Sequence, residues 1–322
     1  MLGNPHVQSV LTSGPMRRKQ VQRRAAGFLE RSQSRVLEAS DGTRLLGFAN
    51  RAERPRAGLR PLVILLHGWE GSAESNYLLS TAVALDEAGF DTFRLNFRDH
   101  GESHHLNRGL FHSCLLDEVL DAVAQVAESH RDGPVFLAGF SLGGNFTLRV
   151  ARHAPARGIE LRQAFAVSPV IRPLHVLDAL ESGPVIYHYY FVRKWRRSLK
   201  IKQALYPDVY RLDDWFRLKN LREQTDWLVR NETDFASLDD YLDGYSVAGD
   251  YLTGLSVPTT IVTAADDPII PVSDFELIPT MPTLAVDVLK RGGHCGFIEN
   301  WRMESWIEKR LIGELCQNIR NV

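Results

Sequence analysis

The chain has 322 residues, of which 44 % are hydrophobic, and its 38 Lys+Arg nearly balance 39 Asp+Glu for a formal net charge of −1. That length allows one large α/β domain with a substantial core, and the balanced charge predicts no nucleic-acid partner. No apolar run approaches the roughly 18 residues of a membrane span, and the first residues lack the features of a signal peptide. Three scattered cysteines without metal-ligand spacing are typical of reduced thiols, so we expect a cytoplasmic protein.

The first part of the chain predicts an arm followed by a hairpin. Residues 1–33 show little periodicity and are interpreted as an N-terminal arm. Two strand-like runs follow at 35–39 and 43–48, with Asp41-Gly42 between them as a hairpin-type turn signal.

Strands and helices then alternate up to residue 168. The predicted strands cover 62–66, 91–97, 134–138 and 162–168, and apolar residues at helical spacing follow the first three of them. This alternation predicts a mostly parallel, doubly wound sheet with helices on its faces.

The alternation is interrupted between residues 170 and 245. This segment holds long helical patterns dense in Tyr, Trp and Phe, and we interpret it as a helical cap inserted into one α/β core. The predicted organisation is an arm (1–33), a core (34–169 and 246–322) and a cap (170–245). Strands are predicted again at 259–263 and 284–289, and a final helix carries Ile307, Leu311 and Leu315 on one face.

The stretch Gly139-Phe140-Ser141-Leu142-Gly143 stands between a predicted strand and a predicted helix. A G-x-S-x-G in that position is typical of a nucleophile elbow, a sharp turn that exposes the serine hydroxyl. Glycines are needed there because neighbouring side chains would clash. Ser141 is therefore the candidate nucleophile.

A serine hydroxyl needs a base to take its proton and an acid to orient that base. The order serine, acid, histidine, each after a strand, is present here as Ser141, Asp267 and His294. Asp266 competes with Asp267 for the role of the acid. We favour Asp267 because it stands four residues before Pro271, and then expect Asp266 to form a turn or cap.

Acyl transfer also needs hydrogen-bond donors for the oxyanion that develops on the carbonyl. The residue after the nucleophile supplies one backbone N–H, which is that of Leu142. The loop after the strand 62–66 supplies the other, and we choose Trp69 in His67-Gly68-Trp69.

These features together resemble the α/β-hydrolases from about residue 35 to the C-terminus, and more narrowly the AB hydrolase 4 family of esterases and lipases. The resemblance implies hydrolysis of carboxylic esters, with phospholipids or medium-chain acyl esters as a substrate class. Asp99 departs from the family pattern, in which glycine is more usual after the arginine. The matching motifs are Asn4-Pro5-His6-Val7-Gln8, Leu66-His67-Gly68 with Gly71, Asn96-Phe97-Arg98, Gly139 to Asn145, Asp266-Asp267-Pro268 and Gly292 to Phe297.

Several alternatives stay open at this point. A thioesterase or amidase would use the same three residues, and a binding protein on a hydrolase scaffold would keep the pocket without turnover. Dehalogenase and epoxide hydrolase chemistry is disfavoured because those reactions use an aspartate at the elbow. The ester, its acyl length, its leaving group and the oligomeric state are not determined by the sequence.

Basic and histidine-rich segments raise two further hypotheses. The basic segments 17–24 and 193–202 permit a peripheral membrane contact and a membrane-associated phospholipase, although a solvated charged face is favoured. The histidines of the loop after residue 98 match no zinc-ligand pattern, so we expect no metal and no cofactor, and a polar loop near the active-site mouth instead. These histidines are His100, His104, His105 and His112.

Overall fold

A sheet of eight strands lies at the centre of the computed structural model, which describes residues 3–56 and 58–319. The strand order is β1-β2-β4-β3-β5-β6-β7-β8, and the predicted parallel sheet is confirmed from β4 to β8. The strands are β1 (Gln33–Glu38), β2 (Arg44–Asn50), β3 (Leu62–Leu66), β4 (Asp91–Leu95), β5 (Val135–Phe140), β6 (Gln163–Val167), β7 (Thr259–Ala264) and β8 (Leu284–Leu289).

The predicted hairpin is also confirmed, since β1 pairs antiparallel with β2 and β2 pairs antiparallel with β4.

Strand β5 lies between β3 and β6, with Leu66 opposite Gly139 and Phe140 opposite Val167. Loops that follow β3, β5 and β6 therefore meet at one edge of the sheet. The segment that contains Ser141 leaves from the middle of that edge.

Helices cover both faces of the sheet and fill the segment between β6 and β7. They are α1 (Pro5–Ser13), α2 (Pro15–Glu30), α3 (Asn76–Glu87), α4 (Leu116–Ser129), α5 (Leu142–His153), α6 (Pro173–Ser182), α7 (Val185–Leu205), α8 (Asp213–Arg217), α9 (Leu221–Glu232), α10 (Leu238–Asp243) and α11 (Trp306–Ile319). Short 3₁₀ helices occupy Pro155–Arg157, Gly249–Leu252 and Val272–Leu277.

Alternation along the parallel strands divides the core into two layers. Val63 and Leu65 of β3 pack on the face covered by α2, α3 and α11. Leu62, Ile64 and Leu66 point the other way, toward α4 and α5. This period of two is what the pleat of a strand imposes, and both sets are buried because helices lie on both faces.

The N-terminal segment differs from the predicted arm, because it forms the two helices α1 and α2. Val21, Ala25 and Phe28 of α2 are buried in the same layer as α3 and α11. These residues are spaced by four and three positions and so form an apolar stripe on one face of the helix. The many Arg and Gln residues around them obscured this stripe in the sequence. Arg17 is also buried and pairs with Glu308 of α11 at 3.3 Å.

Helices α6 to α10 form the segment that we call the cap, and one side chain of the core holds both of its ends. The Nδ2 atom of Asn145, on the helix behind Ser141, donates to the carbonyl of Val170 at 2.9 Å and to that of Tyr245 at 2.8 Å. Asn145 is completely buried, so these bonds are shielded from water. Aromatic residues pack inside the cap, with Trp195 in an edge contact with Trp215.

A buried lysine joins the cap to the loop that follows β4. Lys202 of α7 has a side chain with no exposed surface, and its Nζ donates to Asp99 Oδ1 at 2.6 Å. The same Nζ donates to the carbonyls of Asn107 at 2.7 Å and Gly109 at 3.0 Å. Burial raises the pKa of Asp99 and the adjacent Lys202 opposes that shift. Asp99, the departure from the family pattern, is thus the partner of a cap lysine.

No helix in the described part of the chain has both the length and the apolar character required to cross a bilayer.

We expect Lys202→Met to destabilise the protein by about 3–5 kcal/mol, because it leaves the Asp99 carboxylate and two carbonyls buried without their donor. Denaturant unfolding measures this change. Lys200→Met is the matched control on the exposed side of the same helix. We expect its free energy of unfolding to stay within about 0.5 kcal/mol of that of the parent. Equal stability of the two variants would contradict this role for Lys202.

Candidate active site

Ser141 occupies a strained corner between β5 and α5. Its backbone has φ 55° and ψ −118°, a conformation that L-residues rarely adopt. A Cβ added at Gly139 would lie 2.2 Å from the Gly143 carbonyl oxygen. One added at Gly143 would lie 2.4 Å from the carbonyl oxygens of Leu66 and His67. Both glycines are therefore required by close backbone packing, and α5 begins directly after the serine, earlier than predicted.

The structure brings the three predicted residues into one hydrogen-bonded chain. His294 Nε2 lies 2.9 Å from Ser141 Oγ, and His294 Nδ1 lies 2.9 Å from Asp267 Oδ2. The side chain of Asp267 has no exposed surface, and that of His294 is 12 % exposed. Because Asp267 accepts from Nδ1–H, Nε2 is left to accept the Ser141 proton.

The two neighbouring aspartates have different partners. The second oxygen of Asp267, Oδ1, accepts from the backbone N–H groups of Ile269 at 2.8 Å and Ile270 at 3.0 Å. Asp266 instead accepts from Gly292 N–H at 2.8 Å and Gly293 N–H at 2.9 Å. Asp266 thus holds the turn that precedes His294, and Asp267 contacts the imidazole.

The electrostatics of His294 are governed by burial and by Asp267. Burial of the ring is the largest single effect and opposes its protonation, but the adjacent Asp267 carboxylate and Cys295 together outweigh it and raise the pKa of His294 above its ordinary value. The arrangement favours an imidazolium, which is the form that a base takes after it accepts a proton.

The backbone N–H groups near Ser141 differ in whether they have a hydrogen-bond acceptor. Gly68 N–H donates to the Tyr77 hydroxyl at 2.8 Å and is occupied. Within residues 3–56 and 58–319, the N–H groups of Trp69 and Leu142 have no hydrogen-bond acceptor. Trp69 and Ser141 line the same cavity. Tyr77 was not singled out from the sequence. Its hydroxyl occupies the Gly68 N–H, so the N–H that stays without an acceptor is that of Trp69 and not that of Gly68.

Cap helix α7 packs directly on the loop that carries Trp69. The Trp69 ring stacks on Phe191 at 5.2 Å between centroids and meets Trp195 edge-on at 5.1 Å. Lys194 Nζ donates to the carbonyl of Glu70 at 2.7 Å. The position of the Trp69 N–H therefore depends on the cap as well as on the sheet.

Two buried histidines hold the same loop in place. His67 donates from Nδ1 to the Gly68 carbonyl at 2.8 Å and accepts Phe97 N–H at Nε2, and burial lowers its pKa to about 4. His100 donates to the Arg98 carbonyl and accepts Glu70 N–H at 3.1 Å. Among the described residues, no three His, Cys, Asp or Glu side chains are grouped to hold a metal ion. These histidines act as neutral hydrogen-bonding groups.

Helix α1 contacts the loop that carries His294, a contact that sequence reasoning missed. Ser9 Oγ accepts His294 N–H at 2.8 Å, and Gln8 bonds both the N–H and the carbonyl of Ile298. Asn4 caps α1 by accepting from His6 N–H at 2.9 Å, and Pro5 is the first residue of the helix. An Asn-Pro pair of this kind is itself a helix-start signal that could have predicted α1.

Ser141 lies at the junction of two openings. One is an apolar cavity of about 100 Å³ beneath the cap, lined by Ser141, Trp69 and aliphatic residues that include Leu177, Leu180 and Leu228. The other is a cleft of about 590 Å³ that Ser141 and His294 also line. Ser141 is therefore reached from both the cavity and the cleft.

Comparison with known proteins agrees with this fold. A sequence profile of the alpha/beta hydrolase fold matches residues 61–300. The chain belongs to the α/β-hydrolase family. This assignment, and the eight-stranded sheet with its flanking helices, confirms the predicted fold class.

Two curated relatives of this hydrolase cover 81 % of its chain. One is YheT of Escherichia coli, provisionally named an esterase, with 26 % identity over 78 % of its own length. The other is Phospholipase ABHD3 of Mus musculus, with 26 % identity, of which the chain spans 64 %. The Pyrococcus furiosus esterase Pf2001 shares the fold, with a TM-score of 0.57 and 14 % identity, over 89 % of this chain and 93 % of its own.

We expect Asp267→Asn to lower the pKa of His294, because the carboxylate that favours the imidazolium is removed while the amide keeps the shape of the side chain. NMR titration of the His294 ring protons measures the change. Asp266→Asn is the matched control, since its Oδ1 can still accept from Gly292 and Gly293 and it does not contact the ring. An equal shift in both variants would contradict the assignment of Asp267 as the partner of His294.

Proposed function

We propose that this α/β-hydrolase is a serine hydrolase that cleaves carboxylic esters through an acyl-enzyme. The observation that carries the proposal is the hydrogen-bonded chain from Ser141 through His294 to Asp267 at a strained elbow. The Trp69 and Leu142 N–H groups beside the serine support it, as do relatives named as an esterase and a phospholipase.

In the proposed reaction, Ser141 Oγ attacks the ester carbonyl while His294 Nε2 takes its proton. The N–H groups of Trp69 and Leu142 donate to the oxyanion of the tetrahedral intermediate, and Asp267 stabilises the imidazolium. Collapse of the intermediate breaks the ester C–O bond, and His294 returns the proton to the leaving alkoxide. Water then attacks the acyl-enzyme with His294 again as base, which releases the acid and restores Ser141.

The apolar cavity beneath the cap suits the acyl half of the substrate, because it is lined mainly by aliphatic and aromatic side chains. A thioester or an amide would use the same residues, so matched ester, thioester and amide substrates distinguish the three activities.

Cys114 and Cys295 form no disulfide, which supports a reducing compartment such as the cytoplasm.

We expect Ser141→Ala to reduce kcat for p-nitrophenyl acyl esters by about 10³-fold or more, because the attacking oxygen is lost. A fluorophosphonate probe should label the parent protein and fail to label this variant. Cys295→Ala is the control, since the Cys295 Sγ lies 3.9 Å from His294 Nε2 and is the competing nucleophile. Hydrolysis at the parent rate by Ser141→Ala would overturn the proposal.

We expect Leu228→Phe to shorten the range of acyl chains accepted, because the larger ring fills the cavity beneath the cap. The value of kcat/KM for the longest accepted p-nitrophenyl ester should fall by about 10-fold or more, while that for the acetate stays near the parent value. Leu205→Phe, on the exposed end of α7, is the control. Equal losses on all chain lengths would contradict an acyl site at Leu228.

A further inference from the structure

Residues of both basic segments line the cleft that reaches Ser141. They are Arg18 of α2 and Lys194 and Arg197 of α7. Arg197 also borders a groove of about 1050 Å³ on the other side of α7, which Arg193 and Lys200 line. Segments that are about 170 residues apart in sequence therefore form one basic rim around the opening.

Most of the exposed cations of these two segments have no anionic partner. On α2, Arg24 pairs with Glu87, and the buried Arg17 pairs with Glu308. Six exposed side chains of the two basic segments have no carboxylate within salt-bridge distance among the residues that the structure describes. They are Arg18, Lys19, Arg23, Arg193, Arg197 and Lys200. Glu74 and Glu181 are the carboxylates that line the cleft and the groove, so positive charge dominates the rim.

Exposed apolar side chains lie on the same helices as these cations and on α1. Met16 of α2 is 70 % exposed, and Val10 of α1 is 46 % exposed. On α7, Tyr189 is 65 % exposed, Ile186 is 55 % exposed and Tyr190 is 40 % exposed. Val10, Ile186 and Tyr190 line the cleft itself. Tyrosine and aliphatic residues beside arginine and lysine are the combination that amphipathic helices use at a lipid interface.

We propose that this rim, formed by α2 and α7 at the cleft, docks on the surface of an anionic lipid bilayer. The cations contact the negative headgroups, and the apolar side chains enter the boundary between headgroups and acyl chains. In this arrangement helix α7, which has 21 residues, lies along the surface of the bilayer and does not cross it. Docking places the mouth of the cleft against the bilayer, so that a molecule that leaves the lipid enters the cleft toward Ser141.

The apolar component of the rim selects a bilayer over a polyanion such as nucleic acid. Phosphate groups of a nucleic acid would pair with the cations, but they offer nothing for Met16, Ile186 and Tyr189, whose exposed surfaces would stay in water. A lipid interface accommodates both sets at once. Docking does not depend on the proposed esterase activity, because no rim cation belongs to the Ser141, His294 and Asp267 chain.

The test is co-sedimentation of the full chain, carrying Ser141→Ala to prevent turnover, with vesicles of phosphatidylcholine alone or mixed with phosphatidylglycerol. We expect binding to the anionic vesicles that weakens as salt is raised. In that background, Arg193→Gln with Arg197→Gln should weaken partitioning by roughly 10- to 30-fold. Ile186→Ser with Tyr189→Ser should weaken it without a change in its salt dependence.

Arg54→Gln with Arg131→Gln is the matched control, since these exposed arginines precede β3 and β5 at the opposite edge of the sheet. Binding of this control at the parent level supports a local docking surface. Equal loss in the control and rim variants would overturn the proposal, as would equal binding to neutral and anionic vesicles. Binding to an RNA oligonucleotide without binding to anionic vesicles would also overturn it and assign the rim to a polyanion.

Discussion

The close contact of backbone against backbone at the Ser141 corner is the constraint on which the structure depends. Gly139 and Gly143 allow β5, α5 and the end of β3 to approach within distances that no side chain permits. This approach sets Ser141 in a strained conformation and brings the carbonyls of Leu66 and His67 against Gly143. The surrounding buried hydrogen bonds, from His67 and Asn145 in particular, stabilise the corner against relaxation.

The cap is connected to this corner at three levels. Asn145 holds the ends of the cap, Lys202 joins α7 to the loop after β4, and Trp69 packs between the sheet and α7. The cap therefore contributes to the position of an N–H group in the proposed reaction as well as to the cavity that we propose for the acyl group. A change in cap packing is expected to alter reactivity and substrate choice together, since both depend on the same helix.

Much of the site could be predicted from local sequence, because parallel strands end at one edge of their sheet. Ser141, Asp267 and His294 each follow a strand, so their order along the chain was sufficient to place them near one another. Helix α2 was not predicted, and neither was the contact of α1 with the loop that carries His294. Helix α2 owes its burial to α3 and α11, from distant parts of the chain, and its stripe of three apolar residues was masked by surface charge.

The sequence by itself therefore determined the fold class and the positions of Ser141 and His294 at strand ends, because strand order and local turn chemistry impose both, and it favoured Asp267 over Asp266 as the acid. Tertiary structure alone decided which aspartate contacts His294, since Asp266 and Asp267 are adjacent and differ only in the direction of their side chains. It also decided that α2 and α7 border one cleft. Their separation in sequence carries no information about distance, which is set by how the cap and the N-terminal helices pack on the sheet.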